Sequence, residues 1–189
     1  MLTLPVLHTD RLVLRVPGPD DAAALTAFVV QNRHHLRSSE PERPSDYFTE
    51  PYWAAELSTL ASRVLAEEVV PFILVPRAGT DAGIIGRCTF SGIARGPFQA
   101  AFLGYGLASQ HVGQGFMFEA LQAAITYAFQ PLKLHRIMAN YVPTNERSAR
   151  LLSRLGFERE GYARAYLRLD GRWQDHVLTA LTNDHWTPA

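Results

Sequence analysis

The stretch Leu103 to Phe129 constrains the fold more than any other part of the sequence. It reads LGYGLASQHVGQGFMFEALQAAITYAF, which is a strand-like segment, a turn with two glycines and a long segment of helical periodicity. One stripe of that last segment is apolar and another is polar, as in a helix that covers a sheet. The apolar stripe contains Met117, Leu121, Ala124 and Ala128, with Ile125 beside it. The stretch therefore predicts a strand, a glycine turn and a one-sided helix in succession.

The turn has the pattern Q-x-x-G-x-G, with Gln110, Gly113 and Gly115 at its defining positions. Glycines let the backbone adopt conformations that other residues avoid and let it come close to a ligand. The N–H groups at a helix start have no helical partner and attract phosphate. We therefore predict a diphosphate site here, with an ordinary strand-to-helix turn as the alternative. The dinucleotide fingerprint G-x-G-x-x-G is absent because residue 118 is Phe, and no Walker G-K-[ST] sequence occurs.

The same stretch resembles the acetyl-CoA signature of the GCN5-related N-acetyltransferases, the GNAT superfamily, whose glycine turn is Q/R-x-x-G-x-G/A. Further segments resemble the RimJ branch of that superfamily, which acetylates the N-terminal alanine of a small-subunit ribosomal protein. These segments are TDRLVLR (9–15), NRHHL (32–36), HRIMANY (135–141), NERS (145–148), LGFEREGY (155–162) and DGRWQDHVLTALT (170–182). Because they extend over nearly the whole chain, the resemblance is far more specific than the glycine turn alone.

Composition limits the environment and the partners. The 189 residues carry 18 basic and 18 acidic side chains, so the net charge is zero, and nothing indicates bulk attraction to nucleic acid or to an anionic membrane. The one cysteine, Cys88, excludes an internal disulfide and is typical of a reducing compartment. No apolar segment is long enough to span a membrane, and a signal-peptide pattern is missing. We expect a cytoplasmic protein that consists of one GNAT domain over residues 1–189. The sequence leaves its oligomeric state open.

Hydrophobic periodicity and turn signals predict the element order βααβββαβαββ, an α/β (α+β) fold. The resemblance implies a mixed, mostly antiparallel sheet that is flanked by helices and splayed between its fourth and fifth strands, with acyl-CoA in the gap. The predicted strands are 6–16, 70–75, 83–92, 98–108, 134–142, 157–169 and 173–182. Helices are predicted from residue 20 to about 31, from 51 to about 68, after the glycine turn, and between Asn145 and Gly156. Turns are expected at 79–83, 94–97 and 170–171, and 32–47 is expected to be a loop with a helical turn.

The resemblance also implies which residues hold acetyl-CoA. Backbone N–H groups of the turn bind the diphosphate, and the fourth strand pairs with the amides of pantetheine, where Gly106 suits a bulge or a close backbone approach. Asn145 lines the CoA channel or is only a helix cap, and Arg147 reaches a CoA phosphate or is a solvated charge. The implied cofactor-binding residues are Tyr105, Gly106, Leu107, Gln110, Val112, Gly113, Gln114, Gly115, Phe116, Met117, Asn145, Arg147 and Ser148.

The implied reaction is direct attack of an amine on the thioester of acetyl-CoA in a ternary complex, without a covalent enzyme intermediate. The N–H of Leu107 is the implied oxyanion donor to the thioester carbonyl. Many GNAT enzymes carry a tyrosine acid seven residues after the asparagine, but here that position is Leu152. This departure leaves Ser148, acting directly or through water, as the acid. A weak acid is tolerable because a free thiol has a pKa of about 8.5.

The base is predicted to be a carboxylate near the acceptor. An α-amino group has a pKa of about 7.7–8.0 against about 10.4 for lysine, so a modest base or a water relay suffices for a protein N-terminus. Glu40 is the first candidate, in the loop that forms the acceptor wall, and a solvated loop carboxylate is the alternative. Asp175 is the second candidate for the base. Its alternative role is an ion pair with a neighbouring arginine. The glutamate of a sibling branch falls on Leu167, and Ser39 replaces an aromatic residue common in the branch, which leaves the shape of the acceptor pocket open.

These expectations lead to an acetyl-CoA-dependent N-acetyltransferase that acts on a protein α-amino group, the N-terminal alanine of a ribosomal protein. An acetyltransferase of a small amine, such as an antibiotic, a polyamine or an amino acid, is one alternative, because the GNAT fold serves many acceptors. A non-catalytic acyl-CoA sensor is the other. No metal is expected, since no cluster of histidines and cysteines has ligand spacing.

Overall fold

The computed structural model describes residues 4–37, 39–77 and 83–187. It contains an eight-stranded sheet in the order β1-β2-β3-β4-β5-β6-β8-β7, in which all neighbours are antiparallel except β5 and β6. The strands are β1 Val6–His8, β2 Leu12–Arg15, β3 Val69–Pro76, β4 Gly86–Ala94, β5 Ala100–Leu107, β6 Arg136–Met138, β7 Glu158–Leu169 and β8 Arg172–Thr182. The α-helices are α1 Ala22–Gln31, α2 Arg33–Leu36, α3 Glu50–Leu65, α4 Phe116–Phe129 and α5 Glu146–Arg154. The mixed, mostly antiparallel architecture is confirmed.

The predicted first strand is wrong in one respect: residues 6–16 form a hairpin of β1 and β2, not a single strand. The N–H of Thr9 donates to the carbonyl of Leu12 at 2.9 Å, and Val6 pairs with Arg15 across the hairpin. The turn lies in a run of four polar residues, His8 to Arg11, which interrupts the apolar pattern but contains no glycine or proline, so the turn signals sought did not reveal it. In the predicted loop 32–47, α2 and a 3-10 turn at Ser45–Phe48 are present. The predicted turn at 79–83 lies, apart from Gly83, outside the described residues.

The bulge suggested at Gly106 is also wrong. Gly106 pairs regularly with Arg87, and the register shift between β4 and β5 lies at Ser91 and Ala94. What the missing side chain of Gly106 permits is close packing. A Cβ atom there would lie 3.4 Å from Leu36 Cδ2 and 3.5 Å from Glu40 Oε1. The glycine therefore lets the acceptor loop approach the middle of the sheet.

The sheet opens between β5 and β6, which are the fourth and fifth strands of the predicted order, as the GNAT resemblance implies. These two strands pair only from Ala100 to Phe102. Beyond that point β5 continues to Leu107, while the chain after β6 follows β8, where Tyr141 and Val177 form an isolated bridge. The second half of β5 consequently has a free edge that faces a gap.

Helix α4 fixes the glycine turn against the sheet. Its buried residues match the predicted apolar stripe and are Met117, Ala120, Leu121, Ala124, Ile125 and Ala128. The small alanines let the helix lie close to the sheet, and the ring of Tyr127 meets that of fully buried Phe72 at 5.5 Å. Helix α4, which begins at the glycine turn, is thus fixed against the sheet.

The local turn predictions hold at two further places. Asp170 and Gly171 have φ values of 47° and 75°, as expected for the hairpin turn between β7 and β8. Gly156 follows α5 with a φ of 87°, the left-handed conformation that ends many helices. Among the described residues, no helix has the length and apolarity that crossing a membrane requires.

Asn32 links α1 to the glycine turn. It is only 5% exposed. Its side-chain amide donates to the carbonyl of Phe28 at 2.9 Å and accepts from the N–H of Ser109 at 3.1 Å. One buried side chain therefore ties the end of α1 to the segment that leads into the turn.

We expect Asn32→Ala to lower the free energy of unfolding by about 1–3 kcal/mol, because it leaves the polar partners of a buried amide without their hydrogen bonds. Urea unfolding followed by circular dichroism measures the change. The neighbouring exposed residue Gln31 supplies the control, since Gln31→Ala should stay within about 0.5 kcal/mol of the parent. Equal unfolding midpoints for the two variants would contradict a structural role for Asn32.

Candidate functional site

The glycine turn adopts the backbone conformation that its glycines allow. Gly113 and Gly115 have φ values of 82° and 81°, both in the left-handed region. A Cβ atom on Gly113 would meet nothing within 4 Å, so the space above the turn is open. Gly115 is the residue that caps α4. The turn thus needs glycine for its conformation and presents bare backbone.

A row of backbone donors lies along this turn. The first helical hydrogen bond of α4 runs from Glu119 N–H to the carbonyl of Gly115 at 3.1 Å. Among the described residues, the N–H groups from Gly113 to Phe118 have no acceptor, whereas the N–H of Val112 already donates to Ser109. Unpaired donors at the positive end of a helix form a concave anion site. The turn therefore fits a diphosphate group.

Arg11 supports the turn from the β1–β2 hairpin, a role that sequence reasoning missed. Its guanidinium donates to the carbonyl of Gln114 at 3.0 Å and to Glu119 Oε2 at 2.6 Å, and lies 4.3 Å from the ring centre of Phe116. Burial alone would raise the pKa of Glu119, but hydrogen bonds from Thr9 and Arg11 outweigh it and lower the pKa. Arg11 and Glu119 are 108 residues apart, so no local pattern relates them.

The free edge of β5 presents further backbone groups. Ala108 N–H donates to Ile85 O at 2.8 Å, and Gly106 lies opposite Arg87. In an antiparallel pair the residues alternate between facing the partner strand and facing away from it. The N–H groups of Tyr105 and Leu107 are therefore directed away from β4, toward the gap. Leu107 N–H thus faces the gap, and its role as oxyanion donor stays a prediction.

Tyr105 and Ser148 meet across the gap. The hydroxyl oxygens of the two side chains lie 2.9 Å apart and are hydrogen-bonded. Burial raises the pKa of Tyr105 to about 12, and the hydrogen bond to Ser148 offsets only part of that. Asn145 accepts from the N–H of Ser148 at 3.1 Å, so its predicted helix-cap role is confirmed. Leu152, at the usual tyrosine position, is 1% exposed and belongs to the core.

On the other face of β5, Glu40 forms an ion pair with Arg87. Arg87 Nη2 lies 2.8 Å from Glu40 Oε1, and its Nη1 donates to the hydroxyl of Tyr47 at 2.6 Å. Burial alone would lower the pKa of Arg87, but the charge of Glu40 and the contact with Tyr47 raise it overall. Glu40 Oε1 is also the atom beside Gly106. The candidate base is therefore next to β5, one residue before Leu107.

A cleft of about 220 Å³ opens beside this ion pair. It lies between α1, α2, the loop around Glu40 and the turn of the β7–β8 hairpin. Its lining combines aromatic and charged side chains. The lining residues are Val29, Arg33, Leu36, Arg37, Glu40, Pro41, Glu42, Arg43, Tyr47, Phe48, Arg87 and Asp170.

Comparison with known proteins decides the family. The acetyltransferase (GNAT) domain family matches residues 11–158. The chain belongs to the GNAT acetyltransferase family. It is also 46% identical over 182 residues to the [ribosomal protein uS5]-alanine N-acetyltransferase of Escherichia coli K12, an alignment that covers 96% of this chain and 93% of the relative.

Two solved structures are similar to this GNAT protein over nearly its whole length. The ribosomal-protein-S5-alanine acetyltransferase from Vibrio fischeri is 37% identical, with a TM-score of 0.92 and coverage of 97% of this chain and 100% of that one. Mycobacterium smegmatis RimJ, solved in complex with CoA-disulfide, is 28% identical, with a TM-score of 0.84 and coverage of 98% and 90%. The GNAT and RimJ-like resemblance is confirmed, and the protein is an acetyl-CoA-dependent N-acetyltransferase.

Two other predicted site residues of this GNAT enzyme are Asp175 on β8 and Arg147 on α5. Asp175 accepts hydrogen bonds from Ala165 N–H at 2.8 Å and from the hydroxyl of Tyr162 at 2.7 Å, both on β7. These bonds lower the pKa of Asp175. Its partners are thus a backbone group and a tyrosine and not an arginine, and its role as a base stays a prediction. Arg147 is exposed, and its contact with a CoA phosphate also stays a prediction.

Cys88 is fully buried in the core beneath the site. Burial raises the pKa of its thiol to about 12, so it holds its proton at neutral pH and is ill suited to form an acyl-enzyme. Within residues 4–37, 39–77 and 83–187, no group of three or more histidine, cysteine, aspartate or glutamate side chains could hold a metal ion.

We expect Gly113→Ala to weaken acetyl-CoA binding at least tenfold, because a residue with a Cβ atom disfavours the left-handed conformation that aims the turn donors. Isothermal titration calorimetry measures the dissociation constant. Gly96, in the β4–β5 turn, provides a matched control with a φ of 69° and equally open surroundings. Gly96→Ala should cost similar stability and leave acetyl-CoA affinity unchanged. Equal affinities in both variants would contradict the diphosphate assignment.

Proposed function

We propose that this enzyme acetylates the N-terminal α-amino group of a protein that begins with alanine, and that this acceptor is a ribosomal protein. The observation that carries the proposal is the position of Glu40, which lies beside Gly106 and borders an open cleft. The name of the Escherichia coli relative, at 46% identity, specifies the same acceptor for that protein. Such an acceptor places the enzyme in the cytoplasm.

An N-terminal amine suits the charges of this site. Its pKa of about 7.7–8.0 means that a fair fraction is uncharged at neutral pH, whereas lysine at about 10.4 needs a stronger base. Glu40 is paired with Arg87. It is therefore suited to orient an α-amine and to relay the proton of that amine to water, and less suited to remove a proton from a lysine side chain. The paired carboxylate therefore favours an α-amine as acceptor.

The remaining roles fall to β5 and α5. Acetyl-CoA, when bound, supplies the acetyl group as a thioester. The glycine turn holds the diphosphate, and Leu107 N–H points toward the gap as oxyanion donor. Tyr105 holds its proton at neutral pH because burial raises its pKa, and its hydroxyl is hydrogen-bonded to that of Ser148. We assign the pair as the proton donor to the leaving thiolate, in place of the tyrosine that Leu152 replaces.

The proposal is tested with two acceptors at equal concentration: a short peptide that begins with alanine, and the same peptide with a blocked α-amino group and one added lysine. We expect acetyl-CoA consumption only with the free N-terminus. Turnover only with the lysine peptide would overturn the α-amine specificity. Tight acetyl-CoA binding with no turnover on either peptide would favour a small amine as acceptor, or the sensor alternative.

We expect Glu40→Gln to lower kcat/KM for the alanine peptide by about 10²-fold or more, the range in which a positioned proton acceptor contributes. Affinity for acetyl-CoA should not change, since Glu40 contributes no group to the glycine turn or to the free edge of β5. Glu56→Gln, at an exposed glutamate of α3, should stay within twofold of the parent. An unchanged rate for Glu40→Gln would return Glu40 to a solvated or purely structural role.

We expect Tyr105→Phe to lower kcat about tenfold with little change in acetyl-CoA affinity, because it removes the phenol proton but keeps the ring. The effect is modest because a thiolate is a tolerable leaving group. Tyr127→Phe, at another part-buried tyrosine whose pKa burial raises, is the control and should leave kcat unchanged. If both variants turn over at the parent rate, Tyr105 takes no part in proton donation.

A further inference from the structure

Two arginines in the cleft stack on neighbouring aromatic rings. The guanidinium carbon of Arg33 lies 4.2 Å from the ring centre of Phe48, and that of Arg43 lies 4.8 Å from the ring centre of Tyr47. The two rings are themselves in edge-to-face contact at 5.2 Å. Stacking on an aromatic face is favourable for a guanidinium and limits its freedom. Both cations are therefore held in the cleft by adjacent residues of one 3-10 turn.

Neither arginine forms an ion pair with a carboxylate of the described residues. Glu42, which also lines the cleft, lies 3.5 Å from Arg168 instead. The other two cleft arginines are paired, Arg37 with Asp170 at 2.5 Å and Arg87 with Glu40 at 2.8 Å. No carboxylate of the described residues lies within 4.0 Å of a nitrogen of Arg33 or Arg43. A stacked guanidinium still presents its N–H edge, which matches the planar fork of a carboxylate. The cleft thus offers two preorganised cations to an incoming anion.

These cations are connected to the candidate reaction site through Tyr47. Its hydroxyl accepts from Arg87, which holds Glu40, and its ring face carries Arg43. An extended peptide advances about 3.3 Å per residue. An acceptor whose amine lies at Glu40 consequently brings its following residues past Tyr47 and Phe48, within reach of both guanidinium groups.

We propose that Arg33 and Arg43 form a subsite for an acidic side chain of the acceptor, a glutamate or aspartate within the first few residues after the N-terminal alanine. The inference rests on the proposed function and adds sequence selection to it. The subsite acts on the acceptor alone, because the glycine turn and the gap that hold acetyl-CoA are built from other elements. Loss of the subsite should raise KM for an acidic acceptor and leave kcat unchanged.

The test uses alanine peptides with amidated C-termini, in which one glutamate is moved through positions two to six. Each peptide has a counterpart with glutamine at the same place. At one or two adjacent positions, we expect the glutamate peptide to have a kcat/KM about tenfold higher than its glutamine counterpart. The difference should lie in KM, with kcat unchanged. The advantage should shrink as salt is raised, since ions screen exposed charges.

A double variant, Arg33→Gln with Arg43→Gln, assigns the effect to these residues. We expect it to lose the glutamate advantage and to process the glutamine peptides within twofold of the parent. Arg63→Gln with Arg159→Gln removes the same charge outside the cleft and should keep the advantage. Urea midpoints of both double variants establish that each is folded.

The outcomes separate this inference from the function on which it rests. If glutamate and glutamine peptides react equally in the parent at every position, the subsite is overturned and α-amine acetylation stands. If the glutamate advantage persists in the Arg33 and Arg43 double variant, the assignment to these arginines is overturned. If no alanine peptide reacts, the proposed function fails, and the subsite fails with it.

Discussion

The parting of β5 from β6 is the constraint on which the rest of the site depends. The two strands share parallel pairing only from Ala100 to Phe102, after which β6 is committed to β8. Backbone N–H and C=O groups without partners are costly once removed from water. The remainder of β5 therefore keeps polar groups that a ligand with amides of its own can satisfy. A sheet that paired fully along this edge would have no place for pantetheine.

Helix α4 turns this opening into a binding site for a charged cofactor. It begins at Phe116, directly after the glycine turn, and its alanine-rich face is buried. Because the helix cannot shift without disturbing the core, the donors at its N-terminus are fixed relative to the gap. Arg11 adds a second restraint through Gln114 and Glu119. The candidate cofactor site thus consists of preorganised backbone, which places few demands on side-chain identity outside the glycines.

The acceptor side is organised by charge. Arg87 is a cation taken largely out of water, and such a group is tolerated only when it is paired and hydrogen-bonded. Glu40 and Tyr47 satisfy it, and in doing so they fix the loop and the 3-10 turn that border the cleft. One buried guanidinium thereby couples the candidate base near β5 to the aromatic rings that carry Arg33 and Arg43. The proposed sites for the amine and for its flanking sequence therefore share the same support.

The sequence alone determined the features whose causes are local. The glycine turn, the apolar stripe of α4, the Asp170–Gly171 hairpin and the Asn145 cap could all be predicted, because each depends on the conformational preference of a few consecutive residues. The hairpin at Thr9 was not predicted, because its turn contains no glycine or proline, although four consecutive polar residues interrupt the apolar pattern there. The gap in the sheet was expected only from the resemblance to the GNAT family, since hydrophobic periodicity does not reveal it.

Only the tertiary structure decided how distant residues combine. Arg11 and Glu119, Tyr105 and Ser148, and Glu40 and Arg87 are separated by 108, 43 and 47 residues. Nothing in the pattern around any one of them identifies its partner. The replacement of the usual tyrosine by Leu152 read as a lost acid, whereas the fold brings a different tyrosine to Ser148 from the opposite side of the gap. Local preferences decide which elements form, and packing decides which side chains meet, because contacts of long sequence separation depend on the whole sheet.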